Sequence, residues 1–304
     1  MTTKRKAAKG GAKAAKKAKS PRKSKGAAKL SPTAAYSTAT SSQKPIKQRV
    51  AAMAQVPLAA VKNDDNPQAV LSILRNKEEP VEVRLAALQH LAAASFSAEG
   101  FESWRGDYIV ALREIATDPD PEIRQRALGL LARENDDFAE KKLLEGLQDP
   151  EKALVPPEKA LQLLSYDVHA EAYSVAREIV ENPPNADAKR EALRLLAADP
   201  NSAPLFEKIL LDKDELRENR QISASALHAL DPDKFREHAR DILLDKAEYN
   251  DIQATSMTAL AQFGDDEAIA KDKALLKSVE RMSASKAPGK YKQSARRFLS
   301  KYRG

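Results

Sequence analysis

One short apolar pattern governs what this 304-residue chain can fold into: Ala-Leu followed, after two residues, by Leu. It recurs as RLAALQHL (84–91), RQRALGLL (124–131), PEKALQLL (157–164), KREALRLL (189–196), SASALHAL (223–230) and, with Phe for the last Leu, SMTALAQF (256–263). The central alanines, Ala87, Ala127, Ala160, Ala192, Ala226 and Ala259, are separated by 40, 33, 32, 34 and 33 residues, and a weaker seventh copy follows at Ala295. A near-constant period of this length marks a solenoid, in which each unit buries its apolar face only against its neighbours.

Each unit reads as two helices. A second apolar stripe precedes each Ala-Leu helix at helical spacing, as in Ile109, Leu112, Ile115 and in Ala176, Ile179, Val180. Asp-Pro turns divide the stripes at Asp118-Pro119-Asp120-Pro121, Asp149-Pro150, Asp199-Pro200 and Asp231-Pro232, where Asp caps a helix and Pro fits its first turn. Aromatics make up only 5% of residues and glycines number 10, which favours helix over sheet. The expected fold is all-α: a right-handed α-α solenoid of about six to seven helical hairpins preceded by a disordered basic tail.

The residues DPDPEIRQRALGLLA (118–132) and EPVEVRLAALQHLA (79–92) closely resemble HEAT repeats of the short bacterial kind. The family pattern of a turn acid, an apolar residue, Arg and then Ala-Leu is met by Asp120, Ile123, Arg124, Ala127 and Leu128. The resemblance covers about 64–302 and implies an acid–Arg ladder between repeats, making Arg84 and Arg124 structural. Later copies place Pro157, Lys189, Ser223 and Ser256 at the Arg position, so the ladder is expected to weaken there.

Charge is segregated along the chain. Residues 1–63 hold 16 Lys or Arg and no acid, and residues 281–304 hold 8 and no acid, which leaves 27 bases against all 44 acids between them, a net −17. Four segments follow: a disordered Lys/Ala-rich tail (1–43), a linker or capping helix (44–63), a HEAT-like solenoid (64–280) and a basic C-terminal capping repeat (281–304). The 40-residue interval carries its surplus around SAEGFESWRGDY (97–108), which holds the only tryptophan, Trp104.

Signatures of catalysis are sparse. The absence of cysteine excludes disulfides, thiolate metal sites and cysteine nucleophiles. The glycines form no phosphate-cradling loop or nucleophile elbow. The histidines His90, His169, His228 and His238 are scattered and unpaired, so neither a metal site nor a cofactor is expected. HEAT-like relatives include a di-iron hydroxylase with His-Glu pairs, which this chain lacks, and bilin lyases, for which it offers nothing specific. A HEAT-like alkylbase DNA glycosylase would use tryptophans and an aspartate, and only Trp104 and Asp107 fit. Asp64-Asp65, Asp136-Asp137 and Asp265-Asp266 sit where acids cap helices. The preferred reading is a chain that is not an enzyme.

The tail is the strongest signal of function. Its composition and Ser20-Pro21-Arg22-Lys23 are similar to the tails of linker histones and histone-like bacterial proteins. Lys4, Arg5, Lys6, Lys9, Lys13, Lys16, Lys17, Lys19, Arg22, Lys23, Lys25 and Lys29 are the candidate nucleic-acid contacts, with DNA favoured and RNA the alternative. No apolar segment accompanies them, which disfavours a secretory signal or a membrane surface. The expected localisation is intracellular, in cytoplasm and nucleoid or in a nucleus. A lysine-rich rather than arginine-rich tail disfavours a mitochondrial presequence. In HEAT stacks the second helices line the concave face, and the position two after each central Ala forms a row there. Arg126, Arg133, Gln162, Tyr166, Arg194 and His228 are the candidate contacts for a protein partner. The alternative is a plain scaffold whose tail serves solubility or targeting.

Overall fold

The computed structural model describes residues 29–58, 66–97, 100–166, 170–287 and 289–303. Among them the chain is all-α, a stack of helical hairpins. The pairs are α1 (Pro32–Thr40) with α2 (Ile46–Met53), α3 (Asn66–Arg75) with α4 (Val81–Ser97), and α5 (Arg105–Ile115) with α6 (Pro121–Arg133). Next come α7 (Asp137–Gln148) with α8 (Pro157–Leu164), α9 (Ala170–Glu181) with α10 (Ala186–Leu196), and α11 (Ala203–Leu211) with α12 (Arg217–Leu230). The stack closes with α13 (Pro232–Leu244) and α14 (Asn250–Phe263), then the short α15 (Asp266–Lys271) and the hairpin of α16 (Lys273–Ala284) and α17 (Gly289–Tyr302).

Second helices pack on one another at every step from α2 to α17, whereas first helices pack closely at only some steps. A stack whose one layer is continuous and whose other layer is splayed curves toward the continuous layer, so the second helices lie inside the curve.

The acids of the turns act as helix caps. Asp120 accepts from the amides of Glu122 and Ile123, Asp136 from Phe138 and Ala139, Asp231 from Lys234, and Asp265 from Glu267 and Ala268. Each satisfies donors that the first turn of a helix leaves open. Asp64 and Asp65 lie outside the described residues.

The ladder implied by the HEAT resemblance is built from the fourth residue of the second helices. Arg49 Nε donates to the Ala39 carbonyl at 3.0 Å, Arg84 Nε to Leu74 at 3.0 Å and Arg220 Nε to Leu210 at 2.9 Å. Each carbonyl belongs to the second-last residue of the preceding helix, where helical partners have run out. The same guanidinium groups then pair with an acid in the turn before the next second helix: Arg49 with Glu79, Arg84 with Asp118 and Arg220 with Glu248. Lys189 makes the equivalent pair with Glu215, and in α14 Gln253 donates to the Asp245 carbonyl while accepting from the Tyr291 hydroxyl.

This register corrects the repeat alignment at two places. The expected weakening at Ser223 is not found, because the ladder position of α12 is Arg220, one helical turn earlier; in α14 that position is Gln253, one turn before Ser256, where an uncharged amide replaces the ion pair. Ser223 and Ser256 are fully buried and stand where Ala87 stands in α4. A gap falls at α8, which begins at Pro157, one of the positions where weakening is expected. There Arg124 turns its Nε to the Leu154 carbonyl at 2.6 Å and its Nη1 to the Asp118 carbonyl at 2.6 Å, with no acid among the described residues paired to it.

A second correction concerns the N-terminal boundary. Pro32–Thr40, assigned by sequence to the disordered tail, is a helix capped by Ser31, and its Ala35 and Ala39 are buried in the common core with Ala52 and Met53 of α2. With Ala35 and Ala39 as its buried residues and Tyr36 half-buried against the core, α1 carries little sequence signal, yet it completes a hairpin.

The long first interval becomes an aromatic cluster. Trp104 is only 5% exposed and meets Phe101 edge-on at 4.4 Å and Tyr108 at 6.4 Å. Gly100 enters this turn at φ 80°, a left-handed conformation that glycine adopts without strain. The Asp107 carboxylate accepts from Gln68 at 2.5 Å. Trp104 is thus core and not free to stack on a base.

Candidate partner-binding groove

Three successive second helices, α4, α6 and α8, enclose a groove of roughly 340 Å³ on the inner layer. Leu88, Ala92, Leu130 and Leu163 supply apolar surface, and Gln89, Gln125, Arg126, Arg133, Lys159 and Tyr166 supply the polar lining. Gly129 opens the middle of it: a Cβ there would stand 3.6 Å from Leu163, in ordinary contact, so the glycine leaves room for a guest rather than relieving a clash.

Three candidates meet here. Arg133 and Tyr166 form one unit, the guanidinium lying 5.3 Å from the ring centroid and Nη2 donating to the hydroxyl at 3.4 Å. That hydrogen bond, with the positive charge behind it, holds the Tyr166 hydroxyl below the ordinary tyrosine range. Tyr166 keeps 48% of its surface exposed and offers a flat aromatic wall. Arg126 lines the groove two turns before Arg133 on α6 and pairs with Glu122 one turn away at 2.6 Å, an exposed pair that an incoming anion can displace at little cost.

The other candidates lie elsewhere. Gln162, exposed on α8, accepts from Lys159 Nζ at 2.9 Å and is not part of the lining. Arg194 sits farther along, tied to Glu191 at 2.6 Å and to Glu218 of α12 at 3.3 Å. His228 is half-buried, its ring 5.6 Å from Phe235 and 5.7 Å from Phe263, with Nε2 buried and without a hydrogen-bond partner among the described residues. Burial lowers its pKa. The one-turn shift in α12 explains this, since the exposed position matching Gln89 is Ser225.

Lys159, Gln125 and the apolar floor were missed in the sequence. Gly129, a glycine inside a helical pattern, was the readable signal. Among the described residues no carboxylate lines the groove, although acids outnumber bases by 17 between residues 64 and 280. An acidic body therefore carries a locally cationic groove.

The remaining histidines have structural partners. His90 Nε2 donates to the Val56 carbonyl at 2.7 Å, and His238 Nε2 meets Glu207 at 2.6 Å. His169 lies outside the described residues, as do the tail candidates Lys4, Arg5, Lys6, Lys9, Lys13, Lys16, Lys17, Lys19, Arg22, Lys23 and Lys25, while Lys29 is exposed. Among the described residues no cluster of three or more His, Asp or Glu is arranged to hold a metal ion, and no helix is long and apolar enough to cross a membrane.

No protein-family model matches the chain, and no curated protein matches it. Among solved structures it is similar to the complex of CpcE and CpcF of phycocyanin lyase from Nostoc sp. PCC7120, at 18% identity and a TM-score of 0.40, covering 88% of this chain and 99% of that one. It is also similar to human deoxyhypusine hydroxylase in complex with glycerol, at 16% identity and a TM-score of 0.34, covering 79% of this chain and 96% of that one. Both are HEAT-like helical solenoids. The expectation that the chain is not an enzyme is corrected by these findings, since a lyase and a hydroxylase are both enzymes. Likeness at this level assigns no catalytic residue here.

Proposed function

We propose that the protein is a HEAT-like scaffold whose groove across α4, α6 and α8 holds an acidic protein segment bearing apolar side chains. One observation carries this reading: Arg126, Arg133 and Lys159 line the groove with no carboxylate among its described lining residues, over a floor of Leu88, Leu130 and Leu163. Arginine beside tyrosine over an apolar floor is the composition in which binding energy concentrates at protein interfaces. A panel of labelled twelve-residue peptides, acidic-apolar, basic-apolar and neutral-apolar, titrated into the full chain tests it by fluorescence anisotropy. The acidic-apolar set binds most tightly, and R126E/R133E reverses the order. Equal binding of all three sets overturns the proposal.

A second reading concerns the N-terminal stretch, favoured by twelve cations and no acid within residues 1–30. It binds nucleic-acid backbone, DNA before RNA, with little sequence preference. If every cation engaged a duplex, the log–log salt dependence would have a slope of about −10. Comparing the full chain with one that begins at Lys29, across salt, decides it, and equal slopes remove it. The cut leaves the α1–α2 hairpin whole.

A further inference from the structure

The last hairpin is unlike the rest of the body. Residues 273–303 carry ten Lys or Arg and a single acid, Glu280, which is paired with Arg303. The inward faces are apolar: α16 buries Leu275, Leu276, Val279 and Met282, and α17 buries Tyr291, Ala295, Phe298 and Tyr302. That packing fixes which side chains turn outward. Lys273, Lys277 and Arg281 fall at i, i+4 and i+8 on α16, and Lys290, Arg296 and Arg297 are exposed on α17. Residues four apart share a helix face and rise about 6 Å per step, so the α16 row spans about 12 Å.

Elsewhere among the described residues many cations are matched, although Arg124 bonds only to carbonyls and Arg133 only to Tyr166. Arg113 pairs with Asp136, Arg177 with Asp199, Arg217 with Asp251 and Arg240 with Asp272. Among the described residues, none of the six outward cations of the last hairpin reaches a carboxylate, and Arg281 contacts only the Lys277 carbonyl at 3.4 Å. Six like charges held on one folded end repel one another, and an anionic partner relieves that repulsion.

The geometry points to a nucleic-acid duplex: we propose that the outward face of α16 and α17 is a folded phosphate-binding surface, separate from the N-terminal stretch. A duplex presents about one negative charge per 1.7 Å of its axis, so a 12 Å cationic row faces several phosphates at once. The large exposed apolar side chains of the described residues, from Ile46 to Phe263, all lie outside this hairpin. A membrane surface would find no apolar foothold, and a protein partner no apolar centre to bury. A row of ammonium and guanidinium groups without an aromatic wall fits backbone contact rather than base reading.

The test uses the full chain and a labelled 30-base-pair duplex of random sequence, with affinity measured across salt. One variant carries K273Q, K277Q, R281Q, K290Q, R296Q and R297Q, which keep helix propensity. A second replaces the twelve N-terminal cations with Gln, and a third combines both sets. The first variant lowers the salt slope by up to about 5 if all six contact phosphate, and residual duplex binding by the second is lost in the third. A control with K273R, K277R and K290R keeps the wild-type slope, which separates charge from side-chain shape. Circular dichroism verifies that each variant retains its helices. An unchanged slope in the first variant, or identical binding by the second and third, overturns the proposal. So does a loss seen with anionic lipid vesicles but not with the duplex. Because the N-terminal and hairpin sets are changed independently, failure of either site is read without the other.

Discussion

Arg220 grips both oxygens of Glu248, Nη1 to Oε1 at 3.0 Å and Nη2 to Oε2 at 2.7 Å, with the two side chains 3% and 0% exposed. Lys213 adds a third contact at 2.5 Å, and the guanidinium Nε closes the end of α11 through Leu210. Such a pair costs much to bury and more to break. R220A therefore lowers unfolding stability by about 3–5 kcal/mol in urea titration, because it leaves a buried carboxylate with Lys213 as its one cation and frees the end of α11. The double change R220M/E248L recovers much of that loss. If R220A alone is neutral, the rung is not structural.

The ladder also sets the acid response. Burial pushes the Glu248 carboxyl up, but hydrogen bonds from Arg220, Lys213 and the Tyr249 amide outweigh it and hold the group below its usual range. Asp118 and Glu215 follow the same balance through Arg84 and Lys189. A carboxyl depressed in the folded state gives stability that is present above its unfolded value, about 4, and lost as pH falls through the folded value. Melting temperature is thus expected to drop steeply below about pH 4 on this account, and E248Q is expected to shallow that limb. A wild-type limb retained in E248Q would contradict the assignment.

A milder loss comes earlier. Burial lowers the pKa of His90, partly offset by its bond to the Val56 carbonyl, and also that of His228, which has no such partner. A histidine depressed on folding contributes stability that is full above about pH 6.5 and falls as pH drops through the folded value. H228L removes an unpaired buried nitrogen beside Phe235 and Phe263, so it keeps or raises stability at pH 7 and flattens part of the curve between about pH 6.5 and 5. A clear loss of stability at pH 7 would show that Nε2 has a partner.

The N-terminal hairpin gives a boundary test. A chain beginning at Lys29 melts close to the full-length value. A chain beginning at Lys44 lacks α1, takes the Ala39 carbonyl from Arg49 and uncovers Ala52 and Met53. It loses at least about 1–3 kcal/mol from the unsatisfied donor alone. Equal melting of the two chains would place α1 outside the fold.

Close approach is tested at Gly146 on α7. A Cβ there would come within 2.8 Å of the Ala153 Cα in the following turn. G146A is expected to cost about 1–3 kcal/mol, since backbone must shift to admit it. G129A, inside the groove where space is open, is expected to be tolerated or mildly stabilising by up to about 1 kcal/mol.

Residue type and spacing settled the hairpin repeat, the capping role of Asp120, Asp136 and Asp231, and the separation of charge into basic ends around an acidic middle. These are local properties: a helix face repeats every 3.6 residues and a cap acts within three, so neither needs a distant neighbour. Tertiary packing decided the rest. A shift of three residues along a helix returns to nearly the same face, so periodicity alone could not choose between Ser223 and Arg220 as the ladder position. Contact with Leu210 and Glu248 does. The groove likewise exists only because Gln89, Gly129 and Tyr166, each from a different hairpin, are brought side by side by stacking. Its positive lining is a sum over neighbours that no single repeat contains.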